Sequence, residues 1–215
     1  ILFSECYALT NLNLGRNFDT SKVIDMGGMF KQCRSLTSLD VSSFKTGNVV
    51  SMGNMFFNCS SLRSLDVSGF DVSKTTSLSS TFSTCKNIKF LDVSKFNTKN
   101  VIYMTSLFSE CSSLESIDVS SFDLSNCQSI DRMFYGCSSL TSIDVSRLKT
   151  NRLRTLSLIF AGCTRLRSID ISNFNTDQVY STSQLFDGCT SLTTIKMPKF
   201  NQYTITQTSY MFRNC

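Results

Sequence analysis

Histidine and tryptophan are absent from this chain of 215 residues, and proline occurs once, at Pro198. The missing histidine removes the usual general base, the triads built on it and the commonest metal ligand. Lysine and carboxylate bases remain, but nearly every acidic residue that draws notice belongs to a recurring column, whereas a catalytic site is singular. No run approaches the roughly 18 apolar residues of a transmembrane helix, and no charged segment followed by an apolar one opens the chain. Charge is scarce as well: 21 Lys and Arg against 16 Asp and Glu leave +5, with the basic residues scattered rather than run together. A nucleic-acid interface needs a basic groove interleaved with exposed aromatics, and here the phenylalanines fall at core positions. A hydrophobic share of 41% is nonetheless ordinary for a packed core and unlike a disordered chain.

What the chain has is repetition, which takes precedence over local structure. Cysteines stand at Cys6, Cys33, Cys59, Cys85, Cys111, Cys137, Cys163, Cys189 and Cys215, an interval of 27 residues followed by seven of 26. Only Cys127 is off this ladder. Three positions after each cysteine the chain reads Leu9, Leu36, Leu62, Ile88, Leu114, Leu140, Leu166 and Leu192. Six positions after, it reads Leu12, Leu39, Leu65, Leu91, Ile117, Ile143, Ile169 and Ile195. Position 23 is phenylalanine in every unit after the first, from Phe56 to Phe212, and one residue later in the first, at Phe30. Apolar residues at three, six, eight and eleven form the L-x-x-L-x-L-x-x-(N/C/F) segment of leucine-rich repeats, in which the alternation at six and eight points two side chains inward from a short strand.

The expected architecture is therefore a β-rich leucine-rich-repeat solenoid of eight 26-residue coils, with parallel strand ladders and a short helical turn at each Met/Leu-Phe pair, such as Met55-Phe56 and Met133-Phe134. A single coil cannot bury its own apolar side, so stacking makes the core. At about 4.8 Å per coil the stack is about 40 Å long. One domain covers 1–215, and the lack of a polar cap at either end predicts a window on a longer array.

The segments CSSLTSIDVSRLKT at 137–150 and CRSLTSLDVSSFKTGNVVSMGNMFFNC at 33–59, with the recurring F-x-T-x-x-V-x-x-M-x-x-M-F-x-x-C, resemble the BspA-type leucine-rich repeat family in its 25- to 26-residue variety. The resemblance covers the whole chain. It implies extracellular or cell-surface display, adhesion to host or matrix proteins, aggregation or surface-layer building, and no catalytic residues. The chain departs from the pattern at Thr75 and Cys127, which replace the valine of position sixteen, at Lys196-Met197-Pro198, and at Asn13-Leu14-Gly15.

Two columns carry possible chemistry. Consecutive ladder cysteines are a full coil apart, unlike the paired ligands of a structural zinc site. Parallel side chains also hold stacked Cβ atoms near 4.8 Å, about an ångström beyond what a disulfide wants. A structural column of buried thiols is the favoured reading, and disulfides stay open. The second column, position seven, holds Asp40, Asp66, Asp92, Asp118, Asp144 and Asp170, an outward row of like charges that something must offset. Either each aspartate is satisfied locally by the serine two residues on, or the row is a surface for cations or for the Lys and Arg of a partner. Arg63, Lys89 and Arg167 lie close enough to interleave with it. Nothing calls for a cofactor. The expected function is a non-catalytic extracellular or cell-surface protein that binds proteins, matrix components or copies of itself. A structural spacer or filament subunit and an intracellular scaffold are the alternatives.

Overall fold

The computed structural model describes residues 2–15 and 17–215; Ile1, at which the solenoid is expected to begin, lies outside the described residues. The chain winds into stacked coils, numbered 1 to 8 from the ladder cysteines: 6–32, 33–58, 59–84, 85–110, 111–136, 137–162, 163–188 and 189–214. The inward columns form one continuous apolar core from Met26 to Cys189. Its axis is a stack of phenylalanine rings from Phe30 to Phe212, with centroids 5.6 to 5.8 Å apart and planes within 14° of parallel. That separation exceeds face-to-face contact, so the rings are offset, the arrangement their quadrupoles favour.

The departures at position sixteen are compatible with this core. Thr75 is fully buried and its hydroxyl donates to the Val49 carbonyl at 2.9 Å, while the buried Cys127 thiol lies 3.4 Å from the Ile102 carbonyl.

The walls differ from the expectation in detail. Among the described residues only β1 (Ser168–Asp170) and β2 (Thr194–Lys196) are strands, paired in parallel with Ile169 opposite Ile195. The other Leu segments are extended but too sparsely bonded to one another to form a sheet. The denser ladder runs along the opposite wall, as single parallel bridges joining Asp25, Ser51, Ser77, Tyr103 and Ser129 in turn, and again Thr155, Ser181 and Gln207.

No helical turn forms at the Met-Phe segment. Each coil there carries two left-handed residues four positions apart, as at Asn54 (φ 59°) and Asn58 (φ 58°), or Ser80 (φ 56°) and Thr84 (φ 63°). A left-handed residue breaks a right-handed helix, and the amides instead alternate between partners. Met55 and Phe57 donate back to Met52 and Asn54 in their own coil; Asn54, Phe56 and Asn58 donate across to Ser79, Thr81 and Ser83 of the next. Every coil is thereby tied to its neighbour through the segment that holds the phenylalanine.

All ten cysteines are free, and eight of them are buried. From Cys59 to Cys215 each ladder thiol donates to the carbonyl of a phenylalanine in the stack, among them Cys59 to Phe30, Cys85 to Phe56 and Cys111 to Phe82, at 3.1 to 3.2 Å. Burial pushes the Cys59, Cys111 and Cys189 thiols up to about 12. A small side chain with a weak donor fits a position where a carbonyl must be met without water.

Truncating a ring in mid-stack, Phe108→Ala, removes a fully buried side chain between Phe82 and Phe134 and is expected to destabilise the fold by about 3 to 5 kcal/mol in urea unfolding. In the native protein the eight buried thiols are expected to resist alkylation until denaturant is added, because the reactive thiolate is suppressed. Peptide mass spectrometry reads this; rapid labelling of Cys85 or Cys137 without denaturant would show that the column is open.

Candidate binding surface

The outward positions of the Leu wall converge on a groove of about 1370 Å³ that crosses five coils, from Asn11 to Asp118. Four of the six column aspartates line it: Asp40, Asp66, Asp92 and Asp118. Asp144 and Asp170 continue the row beyond the end of the groove. All six are exposed.

The local mechanism accounts for one oxygen of each carboxylate in the groove. Oδ1 of Asp40, Asp66, Asp92 and Asp118 accepts the amide of the serine two residues on, at 2.9 to 3.0 Å. At Asp66 and Asp92 the serine hydroxyl joins it, at 2.7 and 2.6 Å. This is the Asx turn that the Asp-x-Ser pairing predicts. The second oxygen, Oδ2, has no hydrogen-bond partner among the described residues at any of the four. One oxygen of each of these carboxylates thus holds the turn, and the other is left without a hydrogen-bond partner among the described residues.

The serine hydroxyl foremost, and then its amide, hold the Asp66, Asp92 and Asp170 carboxyls below the usual carboxylate range, Asp170 at about 2. The basic neighbours contribute less than their positions suggest. Lys89 pairs with Glu115 at 3.1 Å, and Asp170 with Lys196 at 3.0 Å. Arg63 and Arg167 form no ion pair among the described residues. Exposed pairs of this kind contribute at most about 1 kcal/mol.

Sequence reasoning passed over Phe90. Position five of the Leu segment is serine in most coils, at Ser38, Ser64, Ser116, Ser142 and Ser168, but phenylalanine in coil 4. Phe90 lines the groove in the same coil as Asp92 and is 62% exposed. Its signal was present as the one aromatic in a hydroxyl column. Among the described residues no group of three or more acidic or cysteine side chains has a metal-binding arrangement, and no helix is long and apolar enough to cross a membrane.

These carboxyls bind fewer protons folded than unfolded. The stability they confer is complete above the ordinary carboxylate value of about 3.9 and is lost as pH falls through the depressed folded values. The urea midpoint is expected to drop on acidification below about pH 4, and to drop less steeply in the Asp66→Asn/Asp92→Asn/Asp170→Asn variant. Parallel profiles would show that the serine bonds do not stabilise the fold.

The family described as "Mycoplasma protein of unknown function, DUF285" matches residues 2–89, 63–145 and 141–215. No curated protein matches. Among solved structures, the chain is similar to a leucine-rich repeat protein from Eubacterium ventriosum at 13% identity and TM-score 0.46, over 84% of this chain and 62% of that one. It is similar to the protein of the TLR13–ssRNA13 complex at 22% identity and TM-score 0.41, over 84% of this chain and 26% of that one. It is also similar to a leucine-rich cell surface protein from Faecalibacterium prausnitzii at 17% identity and TM-score 0.23, over 83% and 77%. The chain thus spans less than two thirds of the Eubacterium protein's length. None of these descriptions names an enzymatic activity.

Proposed function

The chain belongs to the DUF285 family, whose matches run along nearly its whole length, and on that footing we propose that it is a non-catalytic repeat protein of the cell surface or extracellular space that binds a protein partner in the carboxylate groove. The observation that carries this reading is Phe90, a large apolar side chain left 62% exposed in a column otherwise made of small polar residues. Interfaces concentrate their binding energy in a few aromatic anchors ringed by polar groups. Phe90 supplies the anchor. Oδ2 of Asp66, Asp92 and Asp118 supplies acceptors on the coils around it, suited to lysine or arginine side chains of the partner. The BspA resemblance supports display outside the cell and adhesion to host or matrix proteins.

The experiment is surface plasmon resonance of the immobilised chain against a panel of purified extracellular-matrix and cell-surface proteins, with the wild type beside Phe90→Ser and Asp66→Asn/Asp92→Asn. A panel protein is expected to bind the wild type, to lose about tenfold or more in affinity with Phe90→Ser, and to weaken with added salt. Binding that survives both variants would remove the groove from the reading. Self-association in the absence of any panel binding would favour a spacer or filament subunit instead.

A further inference from the structure

Among the described residues, the ladder on the wall opposite the Leu segments, the turn wall, is interrupted once. Between neighbouring coils it normally carries two amide bonds, such as Gln128 to Ile102 with Met104 to Ser129, or Tyr180 to Arg154 with Leu156 to Ser181. Between coils 5 and 6 neither counterpart forms, and the parallel bridge is missing as well. Asp131 occupies this joint, in a column that elsewhere holds glycine, serine or threonine. Its Oδ1 accepts the Thr155 hydroxyl at 3.0 Å and the Ser157 amide at 3.2 Å. A carboxylate has taken the place of the backbone rungs.

Two further ties fail at the same joint. Asn100 and Asn126 each reach back to a carbonyl of the preceding coil, at 2.7 and 2.9 Å, but the corresponding residue of coil 6 is Arg152. Thr98 and Thr150 each exchange bonds with the coil that follows, but coil 5 has Leu124 there. Across this joint, from coil 4 to coil 7, lies a cleft of about 630 Å³. Two guanidinium groups line it, from Arg152 and Arg154, together with the carboxamides of Gln128 and Gln178 and the rings of Tyr103 and Tyr180. Both rings are more than two-fifths exposed. Neither arginine has an ion-pair partner among the described residues, and the cleft's one carboxylate, Asp131, is already engaged.

We propose that this cleft binds an acidic glycan, a chain of sugars bearing carboxylate or sulfate groups. Guanidinium forks match the planar or tetrahedral oxygens of those groups, and carboxamides match ring hydroxyls. The tyrosines offer flat faces to the sugar rings, and they stand three coils apart, about 14 Å, the reach of about three sugars. A peptide partner would call for pockets that take aliphatic side chains, and the lining contains none. The site lies on the turn wall, away from the Phe90 groove, and stands whether or not that groove binds protein.

The test is titration of the purified chain with heparin-derived and polyuronate oligosaccharides by isothermal calorimetry at about 0.15 M salt, with a neutral dextran oligosaccharide and poly-glutamate as comparisons. One of the acidic oligosaccharides is expected to bind, and the neutral one not. Arg152→Gln/Arg154→Gln and Tyr180→Ser are each expected to weaken binding about tenfold or more. Arg34→Gln/Arg63→Gln, equal in charge change but on the Leu wall, and Phe90→Ser are expected to leave it intact. Asp131→Ser, the residue of neighbouring coils, is expected to restore the ladder and close the cleft, so that affinity falls while the melting temperature holds or rises. No binding to either acidic oligosaccharide, an equal loss with Arg34→Gln/Arg63→Gln, or equal affinity for poly-glutamate would each overturn the proposal, the last in favour of an acidic peptide.

Discussion

Equal coil length is the constraint on which the rest of the molecule depends, because it places every side chain against its own counterpart one coil away. A column is tolerated only if its residue packs with itself. Phenylalanine does so by offset stacking, and the run from Phe30 to Phe212 shows how little the geometry varies from coil to coil. Cysteine does so because its thiol turns aside to a phenylalanine carbonyl rather than toward the next sulfur. Aspartate, which should repel itself, is accepted because each carboxylate is bonded within its own turn. The same rule explains how stability is distributed: each coil contributes its own term and a term for each neighbour.

Backbone hydrogen bonding follows the side chains. On the turn wall, amides alternate between the coil's own carbonyls and those of the next, a pattern that two left-handed residues per coil make possible. A helical turn would satisfy the same amides internally and leave the coils joined by packing alone. The observed arrangement commits about half of them to the neighbour. This wall, more than the Leu wall, is where polar contacts hold the stack together.

Much of this was legible from residue columns. The period, the buried Leu and Phe positions and the outward row of aspartates all follow from spacing, because inward and outward placement repeats with the coil. The Asx turns were legible too, since Asp-x-Ser carries its own mechanism. The turn wall was not. Its first left-handed position holds Asn54, Ser80, Arg132, Leu158 and Tyr210 among others, with no common side chain, and only the second carries a partial mark, in Gly136, Gly162 and Gly188 with Asn58 and Asn214. The second oxygen of each aspartate was out of reach for a related reason. Which lone pairs remain available depends on the turn's exact closure, and spacing does not specify it. Phe90 and Asp131 were visible as letters but passed over, because attention to what repeats hides what does not.

In a repeat protein the exceptions are where recognition can be written, since a feature shared by every coil cannot single out one place along the stack. Phe90 breaks a serine-rich column, Asp131 is the one carboxylate in its column, and at the same joint Leu124 and Arg152 stand where Thr98 and Asn126 tie other coils. Their coincidence matters physically. Leu124 and Arg152 each remove one side-chain tie, and Asp131 stands where two backbone rungs join other coils. Together they leave this edge to the bonds that Asp131 accepts from Thr155 and Ser157, while at the other edge Phe134 remains stacked on Phe160 at 5.8 Å and its amide still donates to Ile159. The core therefore keeps its register at the joint where the outer ladder is interrupted.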